Sequence, residues 1–206
     1  MSKERRMTRF YGFWRAVATP IVKLLFPYKA RGVENIPLSG GAVLCCNHTS
    51  VTDIAFLIVS CPRQIYFMGK AEIFKNPIIA WFMRKMGVFP VDRKKGGAAA
   101  IETAKRIVEE GKLLGIFPEG TRNHQGRPGK AKSGVAVIAA QTGATVVPSA
   151  VYHKTTKLPL FQKTTMRYGV PVAAEEFCMA DMSRAELRRI TELIMSKITI
   201  LWEAGH

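Results

Sequence analysis

Acidic side chains are scarce in this chain: 15 Asp and Glu stand against 31 Lys and Arg in 206 residues, a formal net charge of +16. Such a field favours phosphate-bearing partners: nucleic acid, anionic lipid or an acidic carrier. Cysteine is sparse too, with four in all. Cys45 and Cys46 are adjacent within an apolar run, Cys61 ends a second run, and Cys178 stands alone. With no C-x-x-C pair and no Cys/His set, neither a disulfide framework nor a zinc site is indicated. The four read as buried, reduced thiols of a cytoplasmic protein. Long hydrophobic runs are missing. Stretches such as Ile54 to Val59 fall well short of the roughly 18 residues that span a bilayer. The polar stretch Met1 to Arg9, with no long apolar core and cleavage site behind it, argues against a secretory signal. Repeats and low-complexity tracts are absent as well. What remains is globular in composition, 48% hydrophobic and 22% charged, and long enough for one domain with a real core.

The pattern divides the chain into an N-terminal amphipathic helical segment, residues 1–30, and an α/β domain, residues 31–206. Between Phe10 and Tyr28 lie Phe10, Tyr11, Phe13, Trp14, Val17, Ile21, Leu24, Leu25 and Phe26, interleaved with Arg9, Arg15 and Lys23 and preceded by Lys3, Arg5 and Arg6. An aromatic amphipathic segment behind a basic leader is the composition of a helix docked in a membrane interface, and an ordinary packed helix is the alternative. Pro20 predicts two short helices rather than one. Beyond Arg31-Gly32 strands and helices alternate. Strands are predicted over 41–46, 64–68, 112–117, 145–152 and 163–168, and helices over 50–60, 76–86, 97–110, 133–142 and 183–202. This alternation predicts a largely parallel sheet covered by helices, with the active site past the carboxyl ends of its strands, where loops 46–50 and 117–123 would meet.

Two short blocks carry chemistry. In Asn47-His48-Thr49-Ser50-Val51-Thr52-Asp53 a histidine at a strand end is followed five residues on by a carboxylate. An imidazole, with a pKa near ~6.5 in model peptides, can take a proton near neutrality, and a carboxylate folded back from a helix start can hold its tautomer. On a regular helix the two would stand about 140° apart, so His48 must precede the helix. Ser50-x-x-Asp53 also reads as a capping box, an alternative role for Asp53. In Phe117-Pro118-Glu119-Gly120-Thr121-Arg122 a predicted strand ends in a carboxylate, a glycine, a hydroxyl and a guanidinium. Gly120 lets backbone approach a ligand, and Arg122 can grip phosphate oxygens bidentately. His124 reads as a loop residue, and His153 and His206 fall in no pattern.

Together these blocks resemble the glycerolipid acyltransferase family, specifically the 1-acylglycerol-3-phosphate (lysophosphatidate) acyltransferases. Three weaker segments are similar to further family elements: Gly87 to Arg93, where Pro90 is a departure; Val146 to Ala150; and Lys70 in Gly69-Lys70-Ala71-Glu72-Ile73-Phe74. The resemblance covers roughly Arg31 to Tyr152. It implies that His48 takes the proton of the lysophosphatidate 2-hydroxyl as it attacks an acyl thioester, with Asp53 orienting His48. It implies that Lys70, Arg93 and Arg122 hold the glycerol phosphate while Glu119, Gly120 and Thr121 shape the acceptor pocket, with backbone of Gly120 and Thr121 as oxyanion donors. No metal or cofactor is implied; acyl-CoA or acyl carrier protein is the co-substrate. The implied location is the cytoplasmic face of an anionic membrane, peripheral or monotopic.

Glycerol 3-phosphate or another lysolipid is an alternative acceptor for the same chemistry. A nucleic-acid-binding protein would suit the charge, but no zinc-finger, RNA-binding or basic-zipper pattern is present. A lipid-binding module without catalysis would have no need of His48 and Asp53.

Overall fold

The computed structural model describes residues 7–91, 97–123, 125–153, 160–177 and 183–205. Seven short runs rich in aliphatic and β-branched residues pair into one sheet: β1 (Tyr28–Arg31), β2 (Ala42–Cys46), β3 (Ile65–Lys70), β4 (Val88–Val91), β5 (Leu113–Ile116), β6 (Thr145–His153) and β7 (Thr164–Tyr168). Their order is β1-β7-β6-β2-β5-β3-β4. Among the described strands only β6 and β7 pair antiparallel, so the sheet is largely parallel, as the alternation of elements predicts. Among the described residues six α-helices are interleaved: α1 (Arg9–Leu25), α2 (Thr52–Ser60), α3 (Pro77–Lys85), α4 (Ala98–Glu109), α5 (Gly134–Thr142) and α6 (Arg184–Glu203).

Strand periodicity divides the core in two. From β2, Ala42, Leu44 and Cys46 join Phe56, Leu57 and Val59 of α2 and Val22 of α1 on one face. Val43 and Cys45 point the other way, into Ala104, Ile107 and Val108 of α4, Ile138 of α5 and Ile190, Ile194 and Ile198 of α6. Each fully buried Leu, Ile or Phe contributes roughly 1.5–3 kcal/mol, so both faces of the sheet are firmly covered. The buried Arg63 ties loops together, donating to the carbonyls of Pro37 (2.8 Å), Gly40 (2.9 Å) and Gly111 (2.8 Å).

Two short strands escape the sequence pattern. β1 crosses residue 30, so the chain passes from α1 into the sheet within a few residues. β4 contains Pro90, which an edge strand tolerates because no further neighbour needs its missing N–H. The expectation of two helices around Pro20 is corrected: α1 runs unbroken through it. Its N-terminal half is pinned by the fully buried Tyr11 and by Arg15, whose guanidinium donates to the carbonyls of Ile58 and Val59 at 3.0 and 2.9 Å. Past the proline, Val22 is buried against the sheet. These contacts outweigh the roughly 3 kcal/mol that an interior proline costs a helix.

Candidate active site

Strands β2, β3 and β5 run parallel, and their carboxyl ends deliver His48, Lys70 and the 117–122 turn to one edge of the sheet. A cleft of about 390 Å³ opens there, lined by His48, Lys70, Gly120, Thr121 and Arg122 among polar residues and by Ile54, Phe67, Met68, Ile116 and Phe117. Gly115 forms part of its floor: a Cβ there would stand 2.4 Å from the Phe67 ring, so the close stacking beneath the cleft requires glycine.

The two sequence blocks are clasped to each other through His48. Its backbone N–H donates to Glu119 Oε1 at 3.2 Å, and its carbonyl accepts from the Asn123 N–H at 2.7 Å. Its ring stacks on Phe117, with centroids 4.0 Å apart and planes at 17°. Nδ1 meets Asp53 Oδ2 at 3.0 Å. Because a carboxylate only accepts, Nδ1 carries the proton and Nε2 holds the free lone pair.

Asp53 is fully buried at the start of α2. Its Oδ2 also accepts the N–H groups of Thr49 and Ser50 at 2.7 and 2.8 Å, so the capping and orienting roles read from the sequence coincide in one side chain. Burial raises the Asp53 carboxyl, but hydrogen bonds from His153, His48 and the Ser50 amide more than offset it, leaving the group below its ordinary value. Glu119 behaves oppositely. Burial raises it above the ordinary carboxyl value against the opposing amides of His48 and Gly129.

The structure thus brings together His48, Asp53, Lys70, Gly120, Thr121 and Arg122. Glu119 lies behind the cleft and supports His48 rather than lining the cavity. Gly120, at φ +74°, spends its N–H on the Phe117 carbonyl at 3.0 Å, so that amide closes the turn and does not point to an oxyanion. Arg93, His124 and Cys178 lie outside the described residues. Burial pushes the thiols of Cys45 and Cys46 up, which leaves both protonated and unreactive near neutrality.

Two residues that hydrogen-bond at this site are given no role by the sequence: Asn47, read only as the head of the first block, and His153, which falls in no pattern. Asn47 is fully buried and extends the β2–β6 ladder with its side chain, donating to the Val151 carbonyl (3.0 Å) and accepting from the Val151 N–H (2.8 Å). His153, the last residue of β6, reaches Asp53 Oδ1 through Nε2 at 2.8 Å. The two-residue period of β6 puts His153 on the face of Val147 and Val151, toward α2. That period is the only sequence hint of its partner.

The signature of the family described as Acyltransferase matches residues 28–152, more than half of the chain. The chain belongs to the acyltransferase family. It is 34% identical over 193 residues to the 1-acyl-sn-glycerol-3-phosphate acyltransferase of Bacillus subtilis, covering 89% of this acyltransferase and 96% of that one. The protein of that name from Borreliella burgdorferi is 32% identical over 124 residues, 59% of this chain and 50% of its own. Among solved structures, the 1-acyl-sn-glycerophosphate acyltransferase PlsC from Thermotoga maritima superposes with a TM-score of 0.69 at 25% identity, over 93% of this chain and 80% of that one. The acyltransferase fold and the span of the matched signature agree: residues 28–152 run from β1 to the penultimate residue of β6, and they hold every cleft residue named above.

Proposed function

We propose that this acyltransferase moves an acyl group from a thioester to the 2-hydroxyl of lysophosphatidate, making phosphatidate. The observation that carries the reading is the His48–Asp53 pair opening onto a cleft that also holds Lys70 and Arg122. His48 Nε2 takes the hydroxyl proton as the oxygen attacks the thioester carbonyl. Asp53 stabilises the resulting imidazolium. The tetrahedral intermediate then collapses, the C–S bond breaks, and the imidazolium returns its proton to the departing thiolate. Atoms balance without a covalent acyl-enzyme, a metal or a further cofactor. Lys70 and Arg122, with Arg93 by family resemblance, hold the phosphate of the acceptor.

A second cavity of about 380 Å³ shares Met68, Ile116, Phe117 and Gly120 with the cleft and continues between Ile101, Val135 and Ile138. Its apolar walls suit the acyl chain, each buried methylene adding about 0.8 kcal/mol. Acyl-CoA and acyl carrier protein are both acidic, as the basic field favours.

The surface supports docking on an anionic membrane. Among the described residues no helix is long and apolar enough to cross a bilayer. Helix α1 instead exposes Phe13, Trp14, Val17, Ile21 and Leu24, and neighbouring α3 exposes Ile78, Ile79 and Trp81. The two helices meet through Phe10 and Trp14 against Phe82. Such an apolar face in a basic protein fits an interfacial helix.

The test is acyl transfer in liposomes or detergent, offering acyl-CoA and acyl carrier protein separately and lysophosphatidate beside glycerol 3-phosphate. Phosphatidate from the wild type, reduced roughly a hundredfold or more in His48→Ala, is the expected result. Product from glycerol 3-phosphate alone would overturn the acceptor, and full activity in His48→Ala would remove the base.

A further inference from the structure

Asp53 is held from two sides. Its Oδ2 serves His48 and the amides of Thr49 and Ser50, while its Oδ1 has a separate partner in His153. The His153 side chain is 3% exposed, so water does not compete for that bond. Its other ring nitrogen, Nδ1, lies 3.1 Å from Thr164 Oγ1, and Thr164 is buried as well. One tautomer of the neutral ring satisfies both contacts. The Thr164 hydroxyl donates to Nδ1, and Nε2–H donates to Asp53 Oδ1. The backbone enforces this chain of bonds. His153 and Thr164 are register partners across the antiparallel β6–β7 pair, and Asn47 clamps β6 two residues earlier, at Val151.

A carboxylate held only through Oδ2 could rotate about its Cβ–Cγ bond and exchange oxygens. A donor fixed on Oδ1 removes that freedom and leaves Oδ2 aimed at His48 Nδ1. We propose that His153 is a positioning residue for acyl transfer, with Thr164 fixing its tautomer and its Nε2–H locking the Asp53 carboxylate plane against His48. His153 lies behind Asp53 and is not part of the cleft wall, so it acts on turnover and not on acceptor binding.

The inference rests on the acyl-transfer reading above, and the experiment separates the two. Wild type, His48→Ala, His153→Phe, His153→Gln and Thr164→Val are assayed with lysophosphatidate, and the folded fraction of each is measured by circular dichroism and thermal melting. His153→Phe loses the donor, so kcat falls by roughly tenfold to a hundredfold with KM within about twofold. In His153→Gln the side-chain amide reaches the Nε2 position and restores kcat to within about fivefold of wild type. Thr164→Val, nearly isosteric, releases the tautomer and lowers kcat severalfold with KM unchanged, and it decides the matter if His153→Phe does not fold. Folded His153→Phe with wild-type kcat would overturn the positioning role while leaving the reaction intact. So would equal losses in Phe and Gln variants, or folded Thr164→Val with wild-type kcat where His153→Phe does not fold. An inactive wild type would overturn both.

Discussion

Placed in an apolar interior without partners, Asp53 would hold its proton; its hydrogen bonds reverse that and keep it ionised below the ordinary carboxyl range. An anion there can accept a hydrogen bond from His48 Nδ1–H, whereas an amide offers His48 an N–H as readily as an oxygen and invites the wrong tautomer. Asp53→Asn is therefore expected to lower kcat roughly a thousandfold or more while leaving the acceptor KM within severalfold. Steady-state kinetics check it, and a loss below tenfold would argue against the pair. Glu119 titrates with the opposite sign. Its folded-state value is raised, so its stabilising share is fully present below the ordinary carboxyl range and is lost as pH rises through the raised value. Glu119→Gln keeps the acceptor for the His48 N–H without the buried charge. Thermal melts should place it at or above wild type at pH 7, with that advantage shrinking to nothing at pH 4 and below. An advantage that stays constant with pH would exclude the titration.

At the scale of elements, α1 shows tertiary contacts overriding a local signal. Pro20 removes one backbone hydrogen bond, yet Tyr11, Arg15 and Val22 anchor the helix on both sides of it. Pro20→Ala restores the N–H at an exposed position and should stabilise the protein by about 1–2 kcal/mol, part of the full helix-interior cost being returned to the unfolded chain. Denaturant unfolding measures it. Arg63 is the element-scale counterpart in the loops: at 5% exposure it joins carbonyls from the 37–40 and 111 segments. Arg63→Met fills the space but leaves those carbonyls to find other partners, and a loss of about 2–4 kcal/mol is expected in the same experiment.

For the whole molecule, charge and exposed apolar surface act together. On the membrane docking proposed above, the field of +16 would draw the protein to an anionic bilayer, and the exposed α1–α3 face would supply the contact. Flotation with vesicles rich in anionic lipid should be strong near 0.1 M salt and weaker near 1 M, where the Debye length falls to about 3 Å. Phe13→Glu with Leu24→Glu, both at outward positions, should abolish flotation even at low salt. Binding unchanged by the double substitution would locate the docking surface elsewhere.

The sequence by itself determined the alternation of strands and helices, hence the parallel sheet, because side-chain periodicity and turn residues act over a few neighbours. It also singled out His48 and the 117–122 turn, which the fold brings to one cleft because both blocks follow directly from strand ends. Short β1 and β4 were not legible: four-residue strands have too little periodicity, and pairing partners alone define them. The continuity of α1 through Pro20 likewise depended on packing. Above all, only the tertiary structure decided that Asp53 faces two histidines. His153 is 100 residues from Asp53 in the chain, and their 2.8 Å contact arises from β6 lying beside β2 with Asn47 fastening the two. A buried charge selects its partners by distance in space, which chain order does not encode.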